Sequence, residues 1–378
     1  MQRVVRTIAP IAFAAALAAP ASAQNFDTPA RNAYVLDLAT NTVLLSKKAE
    51  IPMPPASMSK LMTVYMVFER LKKGSLTLDD TFLVSEKAWK KGGSKMFVKV
   101  GDRVSVSDLL RGIIVQSGND ACIVIAEGLG GTEDAFAEMM TRRAKEMGLT
   151  NTRFANATGW PHPNQLMSAR DLADLSRQLI TQFPELYKIF NEKTFTYSKI
   201  KQSNRNPLLY RNIGADGLKT GHTEAAGYGL TASAIRDDRR IVMVLNGMKS
   251  VRQRSQESLR VMEWAFRTFK PYALFKKNEV ITKADIWLGT ASTVPLIIPE
   301  ALKMTLSRDA RAKMKVVVRM SNPVASPVRK GQQLATLVIT APNFKTREIP
   351  LIAAEEIGQL GFVGRIGAAI KHVLWGAS

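Results

Sequence analysis

The chain has 378 residues, 46% of them hydrophobic and 22% charged, with one cysteine and three histidines. That length supports a large core and two domains, and Cys122 alone excludes an internal disulfide or a cysteine-rich zinc site. So few histidines make a metal centre a poor expectation, while a formal charge of +21 points to a polyanionic setting: nucleic acid, anionic lipid or an acidic polymer.

Residues 1–23 begin with Arg3 and Arg6, run through the apolar stretch Ile8 to Ala19, and end at Ala21-Ser22-Ala23. This three-part pattern is a secretory signal peptide, whose removal lowers the formal charge to +19. Export argues against a nucleic-acid partner, and no zinc-finger or RNA-recognition signature speaks for one.

From Asn32 to Lys270 strand-like and helix-like stretches alternate. Ala33 to Asp37 and Thr42 to Leu45 flank Ala39-Thr40-Asn41 as a hairpin. A helix is expected from Ser57 to Lys72, after Pro54-Pro55 and before Gly74. Others are expected at Ser107 to Val115, Thr132 to Met147 and Ser168 to Thr181, where Ser168-Ala169-Arg170-Asp171 reads as a capping box with Asp in place of Glu. A second hairpin joins Tyr228 to Ala234 with Arg240 to Asn246, and Ser250 to Phe269 closes the region as an amphipathic helix. Strands at both ends around a helical middle give an α+β domain whose sheet pairs its first and last parts.

After Pro271 the texture changes. Short β-rich runs, Ile281 to Leu288, Lys313 to Met320 and Leu334 to Ile339, are punctuated by prolines and predict a small all-β domain. Leu360, Val363, Ile366, Ile370 and Val373/Leu374 then recur at helical spacing, with Arg365, Lys371 and His372 between them. That is a cationic amphipathic helix, too polar and short to span a bilayer. The expected organisation is a signal peptide at 1–23, a catalytic domain at 24–270, a β-rich domain at 271–354 and an amphipathic helix at 355–378.

Three short motifs carry chemistry. Ser57-Met58-Ser59-Lys60 opens a helix, and residues three apart share a face, so the Lys60 amine can reach the Ser57 hydroxyl. A serine is a weak nucleophile and needs a base; a lysine serves once burial or a nearby cation lowers its pKa. By spacing alone the motif is weak, since Ser198-Lys199-Ile200-Lys201 also fits it and Ser57 could simply cap a helix. Ser117-Gly118-Asn119 falls at a break between helical stretches, where a hydroxyl and an amide can face a cleft, or simply form a turn. Lys219-Thr220-Gly221, followed by His222-Thr223, enters the late sheet. There an edge strand can pair with an extended peptide, Lys219 and Thr220 can meet a carboxylate, and Gly221 can let a ligand approach the backbone. A solvated loop lysine is the ordinary alternative.

Taken together, in this order and at these placements, S-x-x-K, S-x-N and K-T-G resemble the motif set of penicillin-recognising serine enzymes. The surrounding text, Pro55 to Thr63, Gln116 to Cys122 and Asp216 to Thr223 followed by Ala226-Gly227-Tyr228, is similar to the low-molecular-mass penicillin-binding proteins that act as D-alanyl-D-alanine carboxypeptidases. The resemblance extends through the β-rich domain and tail. It implies a penicillin-binding, β-lactamase-like transpeptidase domain followed by the all-β domain and tail helix. It also implies that Ser57 attacks the carbonyl between the last two D-alanines of a peptidoglycan stem pentapeptide, with Lys60 as proton acceptor and Ser117 as proton relay. Asn119, Lys219, Thr220, Gly221, His222 and Arg254 would bind substrate, and β-lactam antibiotics would acylate Ser57. No cofactor or metal is implied. The tail would hold the exported enzyme peripherally on the anionic periplasmic face of the inner membrane. Two alternatives stay open: a D,D-endopeptidase cutting peptidoglycan cross-links, and a penicillin-binding envelope scaffold with little turnover. A β-lactamase is adjacent in mechanism, but no efficient deacylating carboxylate is identifiable. Cys122 reads as a packing residue and His222 as positional, while His162 has no assigned role.

Overall fold

The computed structural model describes residues 26–364 and 366. The leader at 1–23 lies outside the described residues, as do Arg365, Ile370, Lys371, His372, Val373 and Leu374 of the tail. The chain divides into two compact units, one made of residues 27–277 with 300–308 and the other including residues 278–299 and 309 onward.

The larger unit is built on a five-stranded antiparallel sheet, in the order Thr42–Lys47, Asn32–Asp37, Arg239–Met248, Gly227–Arg236, Ala215–Thr223. The first and last parts of the region are thus neighbours, as the alternation of elements predicts. Ile241 to Asn246 are all buried in the central strand, which explains a near-continuous apolar run in place of alternation. The tight second hairpin has positive φ at Asp237 and Asp238, the left-handed pair of a primed turn, which short polar residues tolerate.

Three helices begin where expected, after Thr132, Ser168 and Ser250, while the one expected from Ser107 begins at Val106 with Ser105 as its cap. Ser105, Thr132, Ser168 and Ser250 each accept a backbone N–H three residues on, satisfying a donor the helix itself cannot. The capping box at Ser168 is only half made. Ser168 accepts from Asp171 N at 3.0 Å, but the Asp171 carboxylate turns to Asn151 N and Thr152 Oγ1 at 2.8 and 2.7 Å. The helix expected from Ser57 is α-helical only over Lys60–Lys72, after a 3-10 turn at Ala56–Ser59. Every residue of it from Lys60 to Phe68 is buried, as expected of a sequence apolar on all faces. The helices Val106–Ile114, Asn119–Gly130 and Ala169–Gln182 contribute buried side chains to the same core.

A single cut after residue 270 misses one exchange. Phe269–Phe275 pairs antiparallel with Leu302–Ser307, so residues 300–308 return to the larger unit. A buried polar network fastens them. Arg239 Nε donates to Asp37 Oδ2 at 2.6 Å, Thr305 Oγ1 donates to the same oxygen at 3.0 Å, and Thr40 Oγ1 lies 2.8 Å from Thr305 Oγ1. The remaining Arg239 nitrogens donate to the carbonyls of Phe269 and Ala265. Such long-range partners leave no mark in local sequence.

The smaller unit is an all-β body whose six-stranded sheet runs Lys315–Met320, Gln333–Thr340, Arg347–Ala353, Thr293–Ile297, Val280–Trp287, Val324–Ala325. Period-two burial is visible at Ala335, Leu337 and Ile339, which point inward while their neighbours do not. The tail helix does not begin at 355. Ile357 is 4% exposed and bridges Val328, Gln359 bridges Gly289, and helical backbone appears only from Phe362. Ile357, inside the helix expected at 355–378, is therefore a core residue of the β body. No helix among the described residues is long and apolar enough to cross a membrane.

Breaking the Asp37 network tests its weight. Asp37→Ala leaves Arg239 buried without its carboxylate and is expected to cost about 3–5 kcal/mol in urea unfolding. Thr305→Val, which removes one neutral donor, is expected to cost about 1 kcal/mol.

Candidate active site

Ser57 sits in the 3-10 turn Ala56–Ser59, whose entry residue Ala56 has φ of +49°. The turn is clamped from two sides. A Cβ on Gly159 would fall 2.0 Å from Ala56 O, and one on Gly221 would fall 2.9 Å from Pro55 O, so no side chain fits at either position. Gly221 thus lets the edge strand Ala215–Thr223 lie against the Pro55-Ala56 segment of the Ser57 turn.

Lys60 is fully buried, one turn beyond Ser57. Its Nζ donates to Ser57 Oγ and Asn119 Oδ1, each at 2.8 Å, and to Thr158 O. No ion pair to Lys60 is formed among the described residues. Burial without a directly bonded carboxylate lowers its pKa to about 8. The Thr158 carbonyl is aimed by Asn156, whose Oδ1 accepts from Thr158 N, Gly159 N and Trp160 N at 2.8–3.1 Å.

Ser117 lies between two helices with φ of +62°, the left-handed backbone that ends one helix and re-aims the chain into the next. Lys219 Nζ donates to Ser117 Oγ at 2.9 Å and to Thr220 O at 3.1 Å. Burial, with the Lys60 and Arg205 charges adding to it, holds the Lys219 amine well below the usual lysine value. Asn119 bridges the site: Oδ1 accepts from Lys60 while Nδ2 donates to Gly92 O at 2.9 Å. The three motifs therefore meet through two amines, two hydroxyls and one amide.

Ser57 and Asn119 open onto a cleft of about 690 Å3. Ser57, Asn119 and His222 line it, with Ser94, Trp160 and Glu224 among the other walls. Thr220 is buried behind it on the edge strand. His222 is exposed and stacks on Tyr228 at 3.9 Å, and the buried Arg254 guanidinium lies 5.9 Å from the same tyrosine ring, consistent with a positional histidine. Arg254 Nε has no partner among the described residues, and burial lowers the group's pKa.

Several contributors were not singled out from sequence. Asp120, fully buried, accepts from the backbone N–H groups of Met96, Phe97 and Val98 and so holds the loop that carries Gly93 and Ser94. Arg205 reaches Ser94 Oγ at 2.6 Å. Asn119-Asp120 directly after a helix break was the available signal for the first; nothing local marks Arg205 or Asn156. Cys122 is buried and its thiol is pushed up to about 12, as a packing role requires. Ser198 and Lys199 are the turn of a hairpin, so the second S-x-x-K match has no site. Among the described residues no cluster of three or more His, Cys, Asp or Glu could hold a metal ion.

Residues 18–250 match the family model described as D-alanyl-D-alanine carboxypeptidase, and residues 269–359 match that of the penicillin-binding protein 5 C-terminal domain. The chain is 38% identical over 366 residues to the D-alanyl-D-alanine carboxypeptidase DacC of Escherichia coli, covering 95% of this chain and 90% of that one. Among solved structures it is similar to the carboxypeptidase DacD of Francisella tularensis, with a TM-score of 0.80 at 30% identity, covering 89% of this chain and 96% of that one. It is also similar to penicillin binding protein 5 of Haemophilus influenzae, with a TM-score of 0.76 at 33% identity, over 89% of this chain and 100% of that one. A helix-start Ser-Lys pair, a hydroxyl on the inter-helix break and a lysine on the sheet edge thus sit in a chain that belongs to the D-alanyl-D-alanine carboxypeptidase family of serine peptidases.

Proposed function

We infer that this protein is a serine-type D-alanyl-D-alanine carboxypeptidase that removes the terminal D-alanine of peptidoglycan stem pentapeptides and is acylated by penicillin. The observation that carries the reading is the Ser57 hydroxyl 2.8 Å from an amine whose pKa burial has brought to about 8. In the proposed reaction Ser57 Oγ bonds to the carbonyl carbon of the penultimate D-alanine as its proton passes to Lys60 Nζ. Backbone N–H groups of Ser57 and of the strand near His222-Thr223 stabilise the oxyanion. The C–N bond then breaks, and the leaving nitrogen takes a proton relayed from Lys219 through Ser117. The proton that Lys60 took from Ser57 restores Lys219, so Lys60 is again a free amine when water attacks the ester; it takes the water proton and passes it to Ser57 Oγ as the acyl–oxygen bond breaks.

Thr220, Arg254 and the field of Lys219 receive the terminal carboxylate. The unpartnered Arg254 Nε, and the lack of a carboxylate bonded to Lys219, Thr220 or Arg254 among the described residues, favour an anion arriving from outside. Asn119 holds the substrate amide while it fixes Lys60. A β-lactam presents the same pairing of carboxylate and reactive amide, so it acylates the same serine.

We also propose a peripheral place on the periplasmic face of the inner membrane. Exposure of Phe362 and Val363, at 72% and 82%, where the tail leaves the β body supports contact with an anionic lipid surface.

Ser57→Ala is expected to lower D-alanine release by about 10⁴-fold or more and to abolish labelling by penicillin. Because the free amine of Lys60 is the reactive form, acylation should rise with pH up to about 8 and fall roughly tenfold per unit below it, read from stopped-flow penicillin labelling. A pH-independent rate between 6 and 9 would contradict the role of Lys60. Asn156→Ala should slow acylation by about 10-fold or more, and Asn156→Asp, which keeps the acceptor, should largely restore it. A chain ending at Gly361, which keeps Ile357 in the β body, should leave the membrane fraction; retention there would refute the tail contact.

A further inference from the structure

Every backbone N–H from Phe154 to Trp160 is accepted by a side-chain oxygen. Thr141 Oγ1 accepts from Phe154 N at 3.0 Å, Gln165 Oε1 from Ala155 N and Asn156 N at 2.7 and 3.1 Å, and Glu133 Oε1 from Ala157 N at 3.3 Å. Asn156 Oδ1 accepts the remaining three. Irregular backbone beside a core has no ladder of its own, so side chains must complete it.

Thr141 and Glu133 belong to one helix, Glu133–Glu146, which supplies none of the motif residues. Glu133 is its first residue and is 5% exposed. Its two oxygens have separate partners: Oε1 accepts from Ala157 N, and Oε2 lies 3.0 Å from Nζ of the half-exposed Lys87. Glu133 is the one ionised group among the four acceptors of this loop. A helix start favours a carboxylate and an ion pair offsets its burial, so both are ordinary reasons for a glutamate here. Neither requires Oε1 to face Ala157.

Ala157 precedes Thr158, whose carbonyl accepts from Lys60 Nζ. Its own carbonyl accepts from Thr63 Oγ1 at 2.7 Å, on the helix that carries Lys60. Ala157 is thus gripped on its N–H by one helix and on its carbonyl by the other. Because peptide units are planar and stiff, a shift at Ala157 is passed on to the Thr158 carbonyl.

We propose that Glu133 is a positioning residue for the reaction: through Ala157 it holds the Thr158 carbonyl where Lys60 Nζ stays aimed at Ser57 Oγ. The proposal rests on the carboxypeptidase reading, in which Lys60 is the base, and it assigns a part to a helix outside the three motifs.

Two substitutions separate the loop contact from the ion pair. Glu133→Asp keeps the charge for Lys87 and for the helix start, but its shorter side chain withdraws from Ala157 N. Glu133→Gln keeps the reach and the acceptor oxygen and loses the charge, leaving Lys87 to turn to water. The readouts, on the full chain, are stopped-flow penicillin acylation and D-alanine release from a stem pentapeptide. Glu133→Asp should slow acylation about tenfold or more, the effect of a slightly misplaced base. Glu133→Gln should stay within about threefold of wild type, since the acceptor is retained. Lys87→Met, which breaks the ion pair and leaves Oε1 in place, should lower the Tm by about 2–4 °C or more while acylation also stays within about threefold. Should Glu133→Asp not fold, Thr63→Val frees Ala157 from its other side and should slow acylation by a similar factor; an unchanged rate there overturns the proposal. Full activity in Glu133→Asp, or activity that follows the charge and is lost in Glu133→Gln and Lys87→Met, overturns the positioning role and leaves the carboxypeptidase reading intact. A wild-type chain that neither releases D-alanine nor takes up penicillin overturns both.

Discussion

The burial of the Lys60 ammonium is the constraint on which the site depends. An amine removed from water must be given acceptors or lose its proton, and this one is given three from separate stretches of chain: Ser57, Asn119 and Thr158. All are neutral, so the lysine is held in place without being held in charge. A carboxylate at any of those positions would orient the amine equally well and raise its pKa beyond use. Position and basicity are thus set by one choice of partners.

That choice explains the scaffolding around it. The helix Lys60–Lys72 begins apolar on every face because its first nine residues are buried, and its lysine goes under with them. The carbonyl of Thr158 can serve only if its loop is fixed, and Asn156 fixes it with one side-chain oxygen. Gly159 and Gly221 remove the atoms that would hold the loop and the edge strand away from the Ser57 turn. The same economy appears at Asp120, whose charge is spent on backbone N–H groups and makes no ion pair among the described residues. The second lysine repeats the pattern: Lys219 is buried against a hydroxyl and a carbonyl, and the positive charge of Lys60 adds to the effect of burial.

Much of this was legible beforehand where the physics is local. Caps at Thr132, Ser168 and Ser250 follow from the hydrogen-bonding appetite of helix ends, and the hairpin at Asp237-Asp238 from the tolerance of short polar residues for left-handed backbone. The three motifs were legible because their order and setting are specific to a family. Misreadings arose where a residue's partner is distant. The Asp171 carboxylate fits its own helix cap by spacing but bonds a loop twenty residues earlier. Ile357 fits a helical period and also fits a β core, and only the neighbours present in space decide between them.

The amino-acid sequence by itself determined the α+β class, the all-β companion unit and the expectation of export, because periodicity and capping act over a few residues, and the order of its three motifs pointed to the family. Tertiary structure alone decided the rest. It set the basicity of Lys60, which is a property of what surrounds the amine; it returned residues 300–308 to the larger unit through Asp37 and Thr305; and it brought Glu133 and Thr141 of one helix against the loop at Ala157 and Phe154. Desolvation and long-range packing depend on which atoms are brought together, and no local pattern encodes that.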